Sequence, residues 1–458
     1  MHTTIQHLLA RAAALLTAAS LTACNQFLEV KSDKSFVVPD KLAHLQAILD
    51  HHTIMNQGLS AAGESSSTDY YVAPATYQGM RADYRNQYTW QPGYTFPNRA
   101  EAANDWEPLY QVINRCNTVL DALPSIPRDA TNALDWDYVK GQALLLRSIR
   151  FLNIASIWAL AYDPLTADAE LGIPLRLTAD FTEPSTRASL AETYGQLLAD
   201  LHASAALMPD ASLNSYRGSK PAAHAALART YLSMRHYPEA RIYADSCLRL
   251  RSELMDFNDL SIASNTPIGD LNPENILHLT YRNYPHLMPG TIRIAPDLLA
   301  LYAAGDLRKD IFYREVAPDE YTLKAHYSGN TSLFAGLSVN EALLIRAECA
   351  ARAGDIAEAL DDLNRLRLHR FRAEDFEPVV AKGRDAVVEA ILAERRRELP
   401  FRGIRWIDIK RLNMEGADIT LTREIDGQEY ALPSNDLRYA LLIPEDVIER
   451  SGMPQNPR

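Results

Sequence analysis

Cysteine is scarce in this chain: four in 458 residues, with no CxxC and no histidine at metal-ligand spacing. That excludes a disulfide framework and a zinc cluster. Basic excess is missing as well. Lys and Arg number 46 against 58 Asp and Glu, for a net charge of −12, so there is no electrostatic footprint for nucleic acid. Beyond the first two dozen residues, no stretch approaches the run of about 18 uncharged apolar residues that a membrane span needs. No nucleophile elbow, HExxH, P-loop or GxGxxG occurs, which argues against an enzyme and against a nucleotide cofactor. The twelve histidines are scattered, with His51-His52 the only adjacent pair, and no metal site is expected.

What is there begins at the N-terminus. A weakly basic start (His2, His7, Arg11) leads into the apolar run Ala12 to Leu21 and then Thr22-Ala23-Cys24. This is the layout of a secretory signal peptide over residues 1–23. A cysteine directly after small residues resembles a bacterial lipobox, which implies that Cys24 carries a diacylglycerol and becomes the mature N-terminus. A net acidic body gains little from anionic lipid, so acyl chains would do the anchoring. Cys116, Cys247 and Cys349 remain, an odd number that leaves at least one free thiol. The latter two lie in apolar helical stretches, where cysteine behaves as a small buried hydrophobe.

Residues 24–39 read as a polar tether. Leu42, Leu45, Ile48 and Leu49 then recur at helical spacing. The stretch from Gly58 to Asn104 is different, rich in prolines and aromatics without sustained periodicity, and reads as a long loop region of the kind that carries function. Helical patterning returns over Trp106 to Leu123, Val139 to Ala161 and Leu190 to Met208. Ala228, Tyr231, Ala240, Ala244 and Cys247 fall at the spacing of a tetratricopeptide unit, and Ala347, Ala350, Ala359, Leu363 and Leu366 repeat it. Each set implies two antiparallel helices meeting over small residues. Ala240 and Ala359 are too far apart for tandem copies with a period of about 34 residues. The intervening stretch, residues 254–338, is loop-rich, with a strand favoured over Ile276 to Tyr281. A last helical block covers Ala386 to Leu399, and Asp426-Gly427 marks a turn in a strand-like tail.

The block Ile391 to Arg411, containing Glu394-Arg-Arg-Arg-Glu398, Pro400-Phe401-Arg402-Gly403 and Trp406-Ile407-Asp408, resembles the C-terminal signature of the SusD/RagB family. Lys140 to Arg147 with Trp158, Trp106 to Tyr110 with Asn117, Ala295 to Tyr302 with Asp306 and Arg308, and Ile443-Pro444 are similar to other family segments. The resemblance implies a mainly α fold: a tetratricopeptide-like helical-hairpin scaffold with an irregular loop-rich lobe and a few short strands. Residues 40–458 would be a single domain, with helical repeats near 139–208, 219–252, 338–370 and 386–412. It implies a surface-exposed, lipid-anchored protein of the outer membrane that captures a nutrient, an oligosaccharide or a peptide, and hands it to a SusC-like TonB-dependent transporter. A protein–protein adaptor that binds no small molecule stays open.

The run Glu394 to Glu398 places its acids at i and i+4 with arginines able to pair across turns, and reads as scaffold ion pairs, as do Asp408 and Lys410. Asp200, Asp361 and Asp362 read as solvated helix acids. Recognition of sugar needs flat apolar faces flanked by planar polar groups. The stretch Asp69 to Trp106 supplies both, and its candidate ligand residues are Asp69, Tyr71, Arg81, Trp90, Tyr94 and Asn104. Tyr281 to His286 is a second candidate by the same logic.

Overall fold

The computed structural model describes residues 39–93, 104–324 and 327–458. The expected signal peptide, Cys24 and nearly all of the expected tether lie outside the described residues, as does Tyr94. Leu42–Arg458 cluster as one compact unit. Among the described residues nine helices reach ten residues or more: α1 Trp106–Ala122, α2 Ala133–Trp158, α3 Leu190–Leu207, α4 Lys220–Ser233, α5 Tyr237–Leu250, α6 Val339–Ala353, α7 Ile356–Leu368, α8 Arg384–Glu398 and α9 Ile404–Asn413. From α1 to α7 each helix packs on the next, and α8 lies across α6 and α7.

Local chemistry starts and stops these helices where the patterning says. The Asn104 side chain accepts from the backbone amides of Trp106 and Glu107 at 3.0 and 3.3 Å and opens α1. Ser189 and Glu192 form a capping box at the head of α3. Gly354, at φ +91°, closes α6 in the left-handed conformation. Helix α2 is buried almost all round from Gly141 to Trp158, as befits the central strut of a helical array. Its last carbonyls, of Ser156 and Ala159, accept from the Lys410 ammonium at 2.9 and 2.6 Å.

The small residues sit where hairpins need them. Ala228, Ala240, Ala244 and Cys349 close the α4–α5–α6 contact, and Ala359 is fully buried on α7. Cys116, Cys247 and Cys349 are buried free thiols. Asp200 and Asp362 correct the surface reading: both are buried. Asp200 takes a two-pronged bond from Arg147 of α2 at 2.8 and 2.9 Å, while Asp362 takes one from Arg346 of α6 at 2.8 and 2.7 Å. Each ties neighbouring helices together.

Among the described residues ten short strands form five antiparallel pairs. β1 Tyr70–Val72 pairs with β5 Ile292–Ile294, and β9 Leu421–Ile425 with β10 Gln428–Leu432. Asp426 and Gly427, both at positive φ (51° and 78°), join the latter two, the backbone that a two-residue hairpin favours. The strand expected near Ile276 is β4 Asn275–Leu277, paired with β8 Leu337–Ser338. Residues 58–104 depart from the expected loop. They contain the short helices Ala62–Ser66, Pro74–Gly79 and Ala82–Tyr88, each too short for a 3.6-residue period to register in sequence.

Scaffold and lobe are joined by buried charge. The Arg308 guanidinium reaches Asp306 at 2.7 Å, Glu394 at 2.5 Å and Glu398 at 2.9 Å. Arg370 reaches Glu274 at 2.6 Å and Glu398 at 2.9 Å. All six side chains are fully buried. Burial alone would raise the Glu394 carboxyl, but Arg308, Arg397 and Arg367 hold it down at about 2. Asp408 bridges Arg395 and Arg411 at 2.7 and 2.8 Å. The acids of α8 therefore serve the architecture.

Candidate functional site

The six candidate ligand residues separate by location. Asp69 is 1% exposed and is held by the Arg396 guanidinium at 2.7 Å. Asn104 is buried and spends its carbonyl on the first turn of α1. Trp90 is 3% exposed, and its indole N–H donates to the Ser66 carbonyl at 3.0 Å. These three are internal and present no face to a ligand. Tyr71, 36% exposed, stands opposite Arg293 on the β1–β5 pair. Arg81 is exposed and forms an ion pair with Asp83.

Trp90 belongs to a cage that residue type alone does not reveal. The Arg423 guanidinium of β9 lies 3.5 Å from the Tyr88 ring centroid, 4.9 Å from that of Tyr70 and 5.4 Å from that of Trp90. It also donates to the carbonyls of Tyr70, at 3.0 Å, and Ser67. Three of the loop's rings thus hold an internal cation. Trp106 is internal too, meeting Trp158 edge-on at 5.2 Å.

The remaining aromatics make a shelf. Tyr84, half-buried on the helix Ala82–Tyr88, has the Arg81 guanidinium 4.5 Å from its ring centroid. Its ring lies 4.9 Å from both Tyr284 and His286. The two segments read separately from the sequence, Asp69–Trp106 and Tyr281–His286, meet here. Beneath them the Tyr284 hydroxyl donates to Asp105 at 2.5 Å and the Ser60 hydroxyl at 2.6 Å. Arg282, half-buried at the rim, donates to the Asn104 carbonyl at 2.7 Å. Burial raises the Asp105 carboxyl, and its bonds from Ser60 and Tyr284 oppose that rise. Tyr84, Asp105 and Arg282 were not among the six candidates. Tyr84 had the same signal as the chosen rings, Arg282 lies in the second candidate stretch, and Asp105, inside the first, has nothing in sequence that sets it apart.

The shelf has no arrangement for nucleophilic attack among the described residues. Ser65 Oγ lies 2.7 Å from His286 Nε2, yet both residues are buried, and burial pulls the imidazole down to about 3. His286 Nδ1 has no partner among the described residues, so nothing orients the ring as a triad's acid would. No group of three or more His, Cys, Asp or Glu side chains among the described residues could hold a metal ion.

Comparison with known proteins agrees along most of the chain. A family described as starch-binding and associating with the outer membrane matches residues 26–232, and the SusD family matches residues 339–441. A SusD-like protein of Formosa agariphila is 23% identical, over 87% of this chain and 90% of its own. A putative sugar-binding protein of Bacteroides vulgatus superposes with a TM-score of 0.74 at 20% identity, covering 92% of this chain and 99% of that one. A SusD superfamily protein of Bacteroides thetaiotaomicron gives 0.74 at 19% identity, covering 91% and 100%. At such identities these two structures speak for the fold.

Proposed function

Since the chain belongs to the SusD/RagB family, we propose that it is a lipid-anchored outer-membrane protein that captures an oligosaccharide and passes it to a TonB-dependent transporter. It acts by binding and not by catalysis. The observation that carries the reading is the Tyr84 shelf, where a half-buried ring with the Arg81 guanidinium over it, and Arg282 nearby, stands on a base fixed by Asp105, Tyr284 and His286. Sugar C–H faces stack on such a ring while the arginine N–H groups donate to hydroxyls. A shelf set on buried hydrogen bonds loses little entropy when a ligand arrives. The family descriptions, starch-binding in one case, favour glycan over peptide.

The test is a glycan array screened with the mature chain, followed by calorimetry on the best ligand. Binding of a glycan that Tyr84→Ala weakens by about 1–3 kcal/mol, a scale taken from aromatic stacking on bases, supports the shelf. Binding of peptides alone would overturn the glycan reading. For the anchor, Cys24→Ala should leave the protein in the soluble fraction, because acyl chains supply the membrane affinity. A variant still firmly membrane-bound without its transporter would count against lipidation at Cys24.

A further inference from the structure

Away from the shelf, a cleft of about 730 Å³ opens between α8, α9 and the segment after α9. Its lining combines aliphatic side chains, chiefly Leu301, Val388, Leu392, Leu412 and Ile419, with four guanidiniums, Arg352, Arg384, Arg396 and Arg405, against two carboxylates, Asp385 and Glu389. Arg405 of α9 lines it and also lines a small cavity of about 30 Å³ behind it. Arg405 Nε is out of contact with solvent and has no hydrogen-bond partner among the described residues. The acids around it are engaged elsewhere. Asp69 and Asp297 bind Arg396, at 2.7 and 2.8 Å, and Asp408 binds Arg395 and Arg411. Arg352 and Arg384, on the same cleft, have their own partners in Glu348, Glu415 and Asp385. Among the described residues Arg405 thus has no ion pair of its own, although Asp69, Asp408 and Asp297 lie near enough to favour its charge. Burial lowers its basicity, which marks a charged form short of compensation.

A guanidinium N–H buried without a hydrogen bond is costly, and a carboxylate is the group the guanidinium fork fits. The walls decide what that carboxylate is attached to. Tyr237 is the one aromatic lining the cleft, and the Arg352 guanidinium sits over its ring at 4.3 Å. A sugar would find no second flat face there, whereas branched aliphatic chains pack well on leucine, valine and isoleucine. We propose that this cleft binds a carboxylate carried on a branched aliphatic group, with Arg405 as the anchor and α8 and α9 as the walls. Two sources share that chemistry, a free aliphatic acid and the C-terminal leucine of a peptide.

Saturation-transfer NMR and calorimetry on the mature chain test this with 4-methylpentanoate, N-acetyl-Ala-Leu and the C-terminal amide of N-acetyl-Ala-Leu. Both acids should bind if a free acid suffices, and only the dipeptide acid if the peptide backbone is needed. The amide should be weaker by about tenfold or more, the loss expected for one charge-assisted hydrogen bond. Arg405→Gln should lose the acids to the same extent and keep glycan binding at the shelf. Val388→Glu, on the half-exposed wall, should lose them by replacing an aliphatic contact with a third carboxylate on the lining, and gives an independent reading if Arg405→Gln folds poorly. Equal binding of acid and amide, no binding of either acid, or acids retained by both variants would overturn the proposal.

Discussion

Helix α8 and the segment Asp69–Trp90 present the same puzzle and solve it oppositely. Each concentrates residues that usually mark a site, charges in one and aromatics in the other. In α8 the marked residues turn inward. Glu394 and Glu398 are fully buried among Arg308, Arg370, Arg367 and Arg397. In Asp69–Trp90 they divide, with Tyr70, Tyr88 and Trp90 closed around Arg423 and Tyr71, Arg81 and part of Tyr84 left to solvent. Local density of a chemical type therefore does not locate a site in this molecule. What does is whether the type has been matched from elsewhere in the chain.

The comparison can be broken first at its strongest point. Glu398 accepts from Arg308 at 2.9 Å, from Arg370 at 3.0 Å and from Asn340 at 2.6 Å. Glu398→Ala would leave two buried guanidiniums short of a partner and should cost about 3–5 kcal/mol. Urea unfolding reads this directly, and a loss under 1 kcal/mol would mean that the network is incidental.

The next test uses proton binding, where α8 and the short helix just ahead of Asp69–Trp90 should slope in opposite directions. Glu394, held at about 2, contributes stability that disappears as pH falls from about 4.5 toward 2. Glu64, in the short helix Ala62–Ser66, is pushed up to about 7 by burial and then by Asp69. There the folded state holds a proton that the unfolded state has released, so stability falls as pH rises from about 4.5 to 7. The loss is about 3 kcal/mol or less at 1.36 kcal/mol per unit. Glu64→Gln should flatten that decline in unfolding curves recorded from pH 5 to 8, and an unchanged slope would refute the assignment.

Helix spacing gives a smaller effect. Ala240 and Ala359 are fully buried in the hairpins, so Ala240→Leu and Ala359→Leu should each cost about 1–3 kcal/mol by overpacking. Unaltered thermal unfolding of both would show that these helices have room to spare. Smallest of all in stability should be Arg81→Ala. Its charge is exposed and paired with Asp83 beside the Tyr84 ring, so folding should shift by no more than about 0.5 kcal/mol. The same variant should still weaken glycan capture. An affinity equal to that of the unaltered protein would move the site off this shelf.

The scaffold was largely legible from sequence, and the site only in part, for one physical reason. Periodicity accumulates along a helix of 13 to 26 residues, so α2, α3, α5 and α7 announce themselves. Even the alanine positions of the hairpins could be read before the helices were placed. Asp69, Trp90 and Asn104 have the right chemistry for a ligand, but their fate depends on partners set by the fold. Asp69 meets Arg396 across 327 positions, and Tyr70 meets Arg423 across 353. No local pattern records such a pairing. Asn104 is nearer to legible, since its offset from Trp106 and Glu107 is that of a helix cap.

The three buried thiols have a practical consequence. Burial pushes Cys116 and Cys247 up to about 12, so neither offers a thiolate to a maleimide at neutral pH. Cys349 is shifted in the same direction by burial. With Cys24 replaced, a cysteine introduced at the exposed Gln78 would be the single reactive thiol of the folded chain. A fluorophore placed there would report on the lobe in tests of the proposed ligand capture and transporter docking while the helical scaffold stayed dark.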